Sequence, residues 1–204
     1  MVNMRPFNSF ELKNLKFLVN HNVKFTQVEI TPTGLGKSIL DSTAPMRTFF
    51  LENGIHNYEE QQQGQEHKVV YRAVILTDTY KKETKASFYR PNTKKGDPRM
   101  WIYGLGDFTG GNEIHILFKH DNVLYSVNIT RIDIEKCFHS PITTPLQEII
   151  ETIYKENSIV SEELLARFRS VKNQWFESEV VADTGIGRTI ESFLGISMNS
   201  DKTP

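Results

Sequence analysis

KVVYRAVILT (68–77) is followed by TKASFYR (84–90), MWIY (100–103), EIHILFK (113–119) and VLYSVNI (123–129). Each stretch is short and rich in Val, Ile, Phe, Tyr or Thr, residue types that fit a pleated, half-buried surface. Turn signals separate them: Pro91-Asn92, Gly96-Asp97-Pro98, Gly110-Gly111-Asn112 and Asp121-Asn122. Strands this close together, with little helix between, argue for antiparallel β structure closed into a barrel or paired as a sandwich. Upstream, 23–30 alternates Val23, Phe25, Val28 and Ile30 and reads as one more strand. Residues 31–44 read as a polar loop punctuated by Pro32, Gly34 and Gly36, and Pro45 opens a short helix that Asn53-Gly54 closes. The Gln/Glu-rich stretch 57–66 reads as a surface loop with Tyr58 as its one core residue.

Downstream of Cys137 the pattern turns helical. Pro145 opens 146–156, with Leu146, Ile149, Ile150 and Ile153 on one face. A second helix is expected over 164–176, with Ser161 as its N-cap, and a third around 189–194. The expected fold class is α+β, mainly β with flanking helices. The expected division is a β domain over 1–136, a helical segment over 137–180, and the start of a further domain over 181–204.

Composition narrows the function. The chain has 204 residues, 38% hydrophobic and 24% charged, enough apolar content for a packed core. No apolar run approaches the ~20 residues of a membrane helix. Residues 1–10 carry no signal-peptide core. The single cysteine, Cys137, allows neither an internal disulfide nor a multi-cysteine zinc site, so a cytoplasmic protein is expected. The net charge of −1 hides an asymmetry: 68–104 holds nine Lys/Arg against three acids, +6, which leaves −7 for the rest. One basic segment in a neutral chain points to a polyanion on one face. The competing readings are a charged strand edge that resists aggregation and a strip that meets an acidic protein partner.

Two catalytic patterns fit poorly. ITPTGLGKS (30–38) ends like a phosphate-binding loop, but Thr31 stands where the first glycine is needed and Pro32 lacks an N–H. Asp78, Glu83 and Lys85 supply the D…E-x-K elements of a small Mg²⁺-dependent nuclease, the principal rival reading. Only four residues separate the two acids, barely room for a hairpin turn. His21, His56, His67, His115, His120 and His139 lack ligand spacing, so no metal site is expected. The most suggestive segment is RPNTKKGDPR (90–99), an arm between two strands with Asp97 two residues before Arg99. Arg can take guanine O6 and N7 together, and a carboxylate can accept from cytosine N4. A local Asp97–Arg99 ion pair is the alternative, and residue chemistry alone leaves both open.

Two resemblances extend this reading. ADTGIGRTIESFLGISMNSDKTP (182–204) resembles the opening of the MvaI/BcnI-type restriction endonuclease domain, with the specific match over 184–196. In that family a catalytic acidic residue and an E-L-K run follow, and neither is present, so the resemblance implies that this chain does not itself cleave. The second resemblance, looser, spans about 23–131 and is to the N-terminal effector domain of EcoRII-type restriction endonucleases. That domain is a DNA-binding pseudobarrel related to the plant B-three domain. It rests on Thr33-Gly34…Gly36-Lys37-Ser38, on KASFYR (85–90), on the arm ending Asp97-Pro98-Arg99, and on the Gly-rich loop before 113–118.

The family grips the major groove with two arms. The resemblance places Lys37, Ser38, Asp41 and Ser42 on the first, and Lys94, Lys95, Asp97 and Arg99 on the second, as base-contacting residues. It departs at Pro98, where the family has a basic residue. Lys81, Lys82, Lys85, Arg90 and Thr93 are the expected phosphate contacts. Together the resemblances imply the effector part of a type II, IIE-like, prokaryotic restriction endonuclease. The implied partner is double-stranded DNA with a CCWGG-type site, bound by a monomer. No cofactor is expected in this chain, and Mg²⁺ is expected for the catalytic domain that would follow.

Overall fold

The computed structural model describes residues 4–171. Seven strands form one mixed sheet: β1 (Phe25–Ile30), β2 (Leu40–Asp41), β3 (Val69–Leu76), β4 (Lys81–Tyr89), β5 (Arg99–Ile102), β6 (Glu113–His120) and β7 (Val123–Asn128). Their order is β1-β6-β7-β3-β4-β5-β2, and the sheet curls into a nearly closed barrel. All neighbours pair antiparallel except β3 and β7, which run parallel. The strand-rich, mainly β class expected from the sequence is what forms, in α+β company.

Among the described residues five α-helices accompany the sheet: α1 (Ser9–Asn20), α2 (Pro32–Lys37), α3 (Ala44–Glu52), α4 (Ile134–Phe138) and α5 (Pro145–Val171). The period-2 alternation of the strands sorts side chains into two cores. Val28, Ile30, Ala73, Ile75, Ala86, Phe88, Met100, Ile102, Leu117 and Leu124 fill the inside, joined by Met46, Phe49 and Phe50 of α3. Val74, Leu76, Ile114, Ile116, Phe118 and Val127 face the other way and pack on α1, α4 and the first half of α5. That double burial is why the second half of β3 is buried at every position. No helix among the described residues is long and apolar enough to cross a membrane.

Three features depart from the sequence reading. Helix α1 was not expected; its signal is Asn8-x-x-Glu11, a capping box in which each side chain bonds the other's backbone N–H at 2.9 Å. The glycine-punctuated loop 31–44 holds α2 and β2 instead. Thr31 caps the Gly34 N–H at 3.0 Å, and a Cβ on Gly34 would meet the Ile39 carbonyl at 2.6 Å, so the run closes on itself. The helices expected over 146–156 and 164–176 are one continuous helix through residue 171, and Ser161 lies inside it. ENSIVSEE (156–163) has no Gly or Pro to break the ladder. The rest of that second helix, and the expected helix around 189–194, lie outside the described residues.

Backbone contacts divide the chain into two compact units, the first ending at Tyr154 and the second beginning at Lys155. The first holds the sheet. Of the second, the described part is the C-terminal half of α5, where Ile159, Leu165 and Phe168 are exposed.

Candidate nucleic-acid interface

The two edge strands of the sheet are β1 and β2, and the chain crosses from one to the other through α2. β2 has only two residues, too few to offer a long unpaired edge. Its pairing, Leu40 with Met100 and Asp41 with Arg99, joins the segment after α2 to the start of β5. The loop 90–98 ends at that same place. The two expected arms therefore converge on one seam, which the Ser42 N–H extends by donating to the Pro98 carbonyl at 2.9 Å.

On the first arm, Lys37 is exposed in the last turn of α2. Ser38 caps that helix in the left-handed conformation, φ 54°, and is exposed too. Asp41 is exposed and places Oδ1 3.7 Å from Arg99 Nε. Ser42 is turned inward: it is 3% exposed, and its hydroxyl lies 2.7 Å from the Tyr58 hydroxyl. Tyr58 donates to the Arg99 carbonyl at 2.8 Å, so the Ser42 hydroxyl donates to Tyr58 and has no proton left for a base edge. Burial pushes the Tyr58 phenol well above its ordinary range, and the Ser42 bond only partly opposes this.

On the second arm, Thr93, Lys95 and Asp97 are exposed, and a 3₁₀ turn spans Lys94–Gly96. Gly96 adopts φ +73° with its Cα against the Gln63 side chain, a position a Cβ would contest at 2.5 Å. Arg90 does not point freely outward. Its Nε donates to the Gly96 carbonyl at 2.9 Å and its Nη1 to the Gln61 carbonyl at 3.1 Å. Arg99 has only 13% of its side chain exposed, and its buried Nε has no hydrogen-bond partner; the nearest carboxylate, on Asp41, sits beyond bonding distance. The Asp97–Arg99 ion pair weighed above is not formed; the arginine turns to Asp41 instead.

The register shows which other cations share this face. Lys85 pairs with Arg72 across β3–β4, and Tyr103 donates its N–H to the Lys85 carbonyl. Tyr89 pairs with Arg99, which pairs with Asp41. Lys68 stands over the Tyr89 ring, 5.6 Å from its centre. The face turned away from the inner core thus carries Lys68–Tyr89–Arg99–Asp41 in one row and Arg72–Lys85–Tyr103 in another. Lys81 and Lys82 are not brought to the arms. They begin β4 while the arm leaves its other end, and eight steps of about 3.4 Å put about 27 Å between Lys81 and Tyr89.

Asp78 occupies the tip of the β3–β4 hairpin, whereas Glu83 lies down the ladder opposite Val74 and pairs with Arg72 at 3.6 Å. Among the described residues no three of His, Cys, Asp and Glu gather where they could hold a metal. One buried polar residue escaped the sequence reading. Gln61, in the loop expected to lie on the surface, is buried and donates to the carbonyls of Phe88 and His67 at 2.9 and 2.8 Å. Comparison with curated proteins and with solved structures gives no match to this chain. Over residues 165–204, from the last turns of α5 onward, the chain is similar to the MvaI/BcnI restriction endonuclease family, whose model matches there.

Proposed function

We propose that this chain binds double-stranded DNA sequence-specifically through the two loops that meet at the β2–β5 seam, as the effector unit of a type II restriction endonuclease. The observation that carries the reading is that seam. It pairs Asp41 with Arg99, from segments more than fifty residues apart, and so joins the loop that carries Lys37 and Ser38 to the loop that carries Lys95 and Asp97. Mixed donors and acceptors suit a C/G-rich target, since Arg and Lys match guanine and a carboxylate matches the cytosine amine. Lys68, Arg72, Lys85 and Thr93 hold phosphates beside it and contribute affinity without reading sequence. The family match over 165–204 supports a parent enzyme of the restriction class, and the CCWGG target and B-three-like pseudobarrel kinship are part of this proposal. Chemistry on DNA then belongs to a catalytic domain that requires Mg²⁺.

The test is a competition gel shift with a CCWGG duplex substituted at each position in turn, beside a plasmid incubation with Mg²⁺. Expected are position-dependent discrimination, binding that weakens steeply with salt, and an intact plasmid. Binding that ignores both salt and sequence overturns the proposal.

A further inference from the structure

We infer that Tyr58 is a positioning residue that locks the two reading loops together, so that they engage DNA as one rigid reader. This rests on the DNA-binding reading above. The phenol belongs to neither arm. It comes from the segment after α3, and its single hydroxyl bridges the Ser42 hydroxyl of the first arm (2.7 Å) and the Arg99 carbonyl of the second (2.8 Å). Its ring is fixed by the core, edge-on to His56 at 4.4 Å and to Phe88 at 6.1 Å, with 5% of the residue exposed. The same segment grips the second arm twice more. The Gly64 N–H donates to the Arg90 carbonyl at 2.8 Å, and Arg90 returns a bond to the Gln61 carbonyl. On the first arm Arg47 Nη1 donates to the Ser42 carbonyl at 2.8 Å.

The consequence is mechanical. Base reading needs donors and acceptors held close to their productive geometry, whereas phosphate contacts tolerate displacement. Asp41 and Arg99 face each other directly across the seam, so a small separation of the arms changes the spacing between a carboxylate and a guanidinium that both read bases. Tyr58 sets that spacing. Removing its hydroxyl leaves the Ser42 hydroxyl and the Arg99 carbonyl without their buried partner and lets the arms part. Arg72 and Lys85 stand on β3 and β4, and Lys68 just before β3, all outside this latch, and keep their contacts.

The experiment is Tyr58→Phe in the full chain, with Ser42→Ala and the double variant. The ring and its packing survive in Tyr58→Phe, so folding is retained and checked by thermal melting. Hydrogen exchange of the free protein reads the latch directly: the Ser42 amide, bonded to Pro98, exchanges faster in Tyr58→Phe. On DNA, the preference for a CCWGG duplex over a scrambled one falls roughly tenfold, the size of one lost buried hydrogen bond. Affinity for scrambled duplex and its salt slope stay unchanged. The double variant loses no more preference than the worse single one, because both remove the same bridge. Unchanged Ser42 exchange, or a melting shift with the preference intact, overturns the inference. A wild-type chain that never discriminates while the exchange result holds overturns the DNA-reading proposal and leaves the latch standing.

Discussion

Arg90 separates two accounts of this surface, because sequence assigned it to phosphate and the structure turns it onto the protein. Its Nε and Nη1 bond the carbonyls of Gly96 and Gln61 at 2.9 and 3.1 Å. A hydrogen bond from a charged donor is worth about 1.5–3 kcal/mol. The side chain is half-buried and the two bonds are not independent, so their joint contribution is about 2–3 kcal/mol. Arg90→Gln removes the charge and cannot reach both carbonyls. For a unit of this size each kcal/mol moves Tm by about 2–4 °C, so a fall of about 5–10 °C is expected. The paired assay is the salt dependence of DNA binding. A phosphate contact contributes about 0.9 to the slope of log K against log salt. Arg90→Gln therefore leaves that slope unchanged while specific binding falls more than random binding, because the arm loses its anchor. A slope lower by about one, with Tm held, shows that Arg90 meets phosphate and refutes the anchoring role.

Three further outcomes follow from named groups. Asp97→Ala weakens binding to the specific duplex and relaxes discrimination at one C·G pair; uniformly tighter binding to all DNA instead shows that Asp97 only repels phosphate. Glu11, fully buried against Arg5 and Thr130, is held at about 2 chiefly by its bond to Arg5, below the ordinary 4.5. Its contribution, about 3 kcal/mol, is complete above pH 4.5 and is lost as pH falls toward 2. Glu11→Gln abolishes that part of the acid-unfolding curve, and an unchanged curve refutes it. His115 is buried at 0% exposure, and burial holds it at about 3, far below its ordinary 6.5. The unfolded chain takes up the proton that the native imidazole refuses, so stability erodes from pH 6.5 downward. The double variant His115→Leu/Ser126→Ala flattens the stability curve between about pH 6 and 5, where Glu11 is silent; persistence of the slope there assigns it elsewhere.

Strands were the legible part of this fold because their signal is local. IHILF (114–118) and AVIL (73–76) are apolar at nearly every position, and each proves buried on both faces. The termini of β4 were harder: Lys81, Lys82 and Glu83 carry no apolar alternation because that end of the hairpin is exposed on both sides, yet all three pair in register with β3. Helix α1 is legible only through its cap, since Leu12 and Val19 are exposed while Glu11 and Asn14 are buried, which inverts the usual pattern. Asn14 is buried because it answers three backbone groups, the carbonyls of Ile129 and Ile132 and the N–H of Ile134. At the site, residue types pointed to both arms, but nothing local tells that Gln61 and Tyr58, inside a run of Glu and Gln, hold those arms from beneath.

The separation of cations along β4 bears on how a duplex would lie. The arm leaves the Tyr89 end, Lys85 stands midway, and Lys81 begins the far end, about 27 Å from the arm. A duplex lying across the strands at the seam would meet Lys68 and Lys95 and would leave Lys81 and Lys82 in solvent. A duplex lying along β4 meets Lys68, Arg72, Lys85 and Lys81 in turn on one face, but not Lys82. Alternation sends Lys82 to the opposite face, with Ile75 as its partner. In either orientation Lys82 stands apart from the β2–β5 seam. Its basic neighbours in sequence are not its neighbours on the surface. The +6 charge of 68–104 is therefore two populations: one that shares a face with Asp41 and Arg99, and one that keeps a hairpin end soluble.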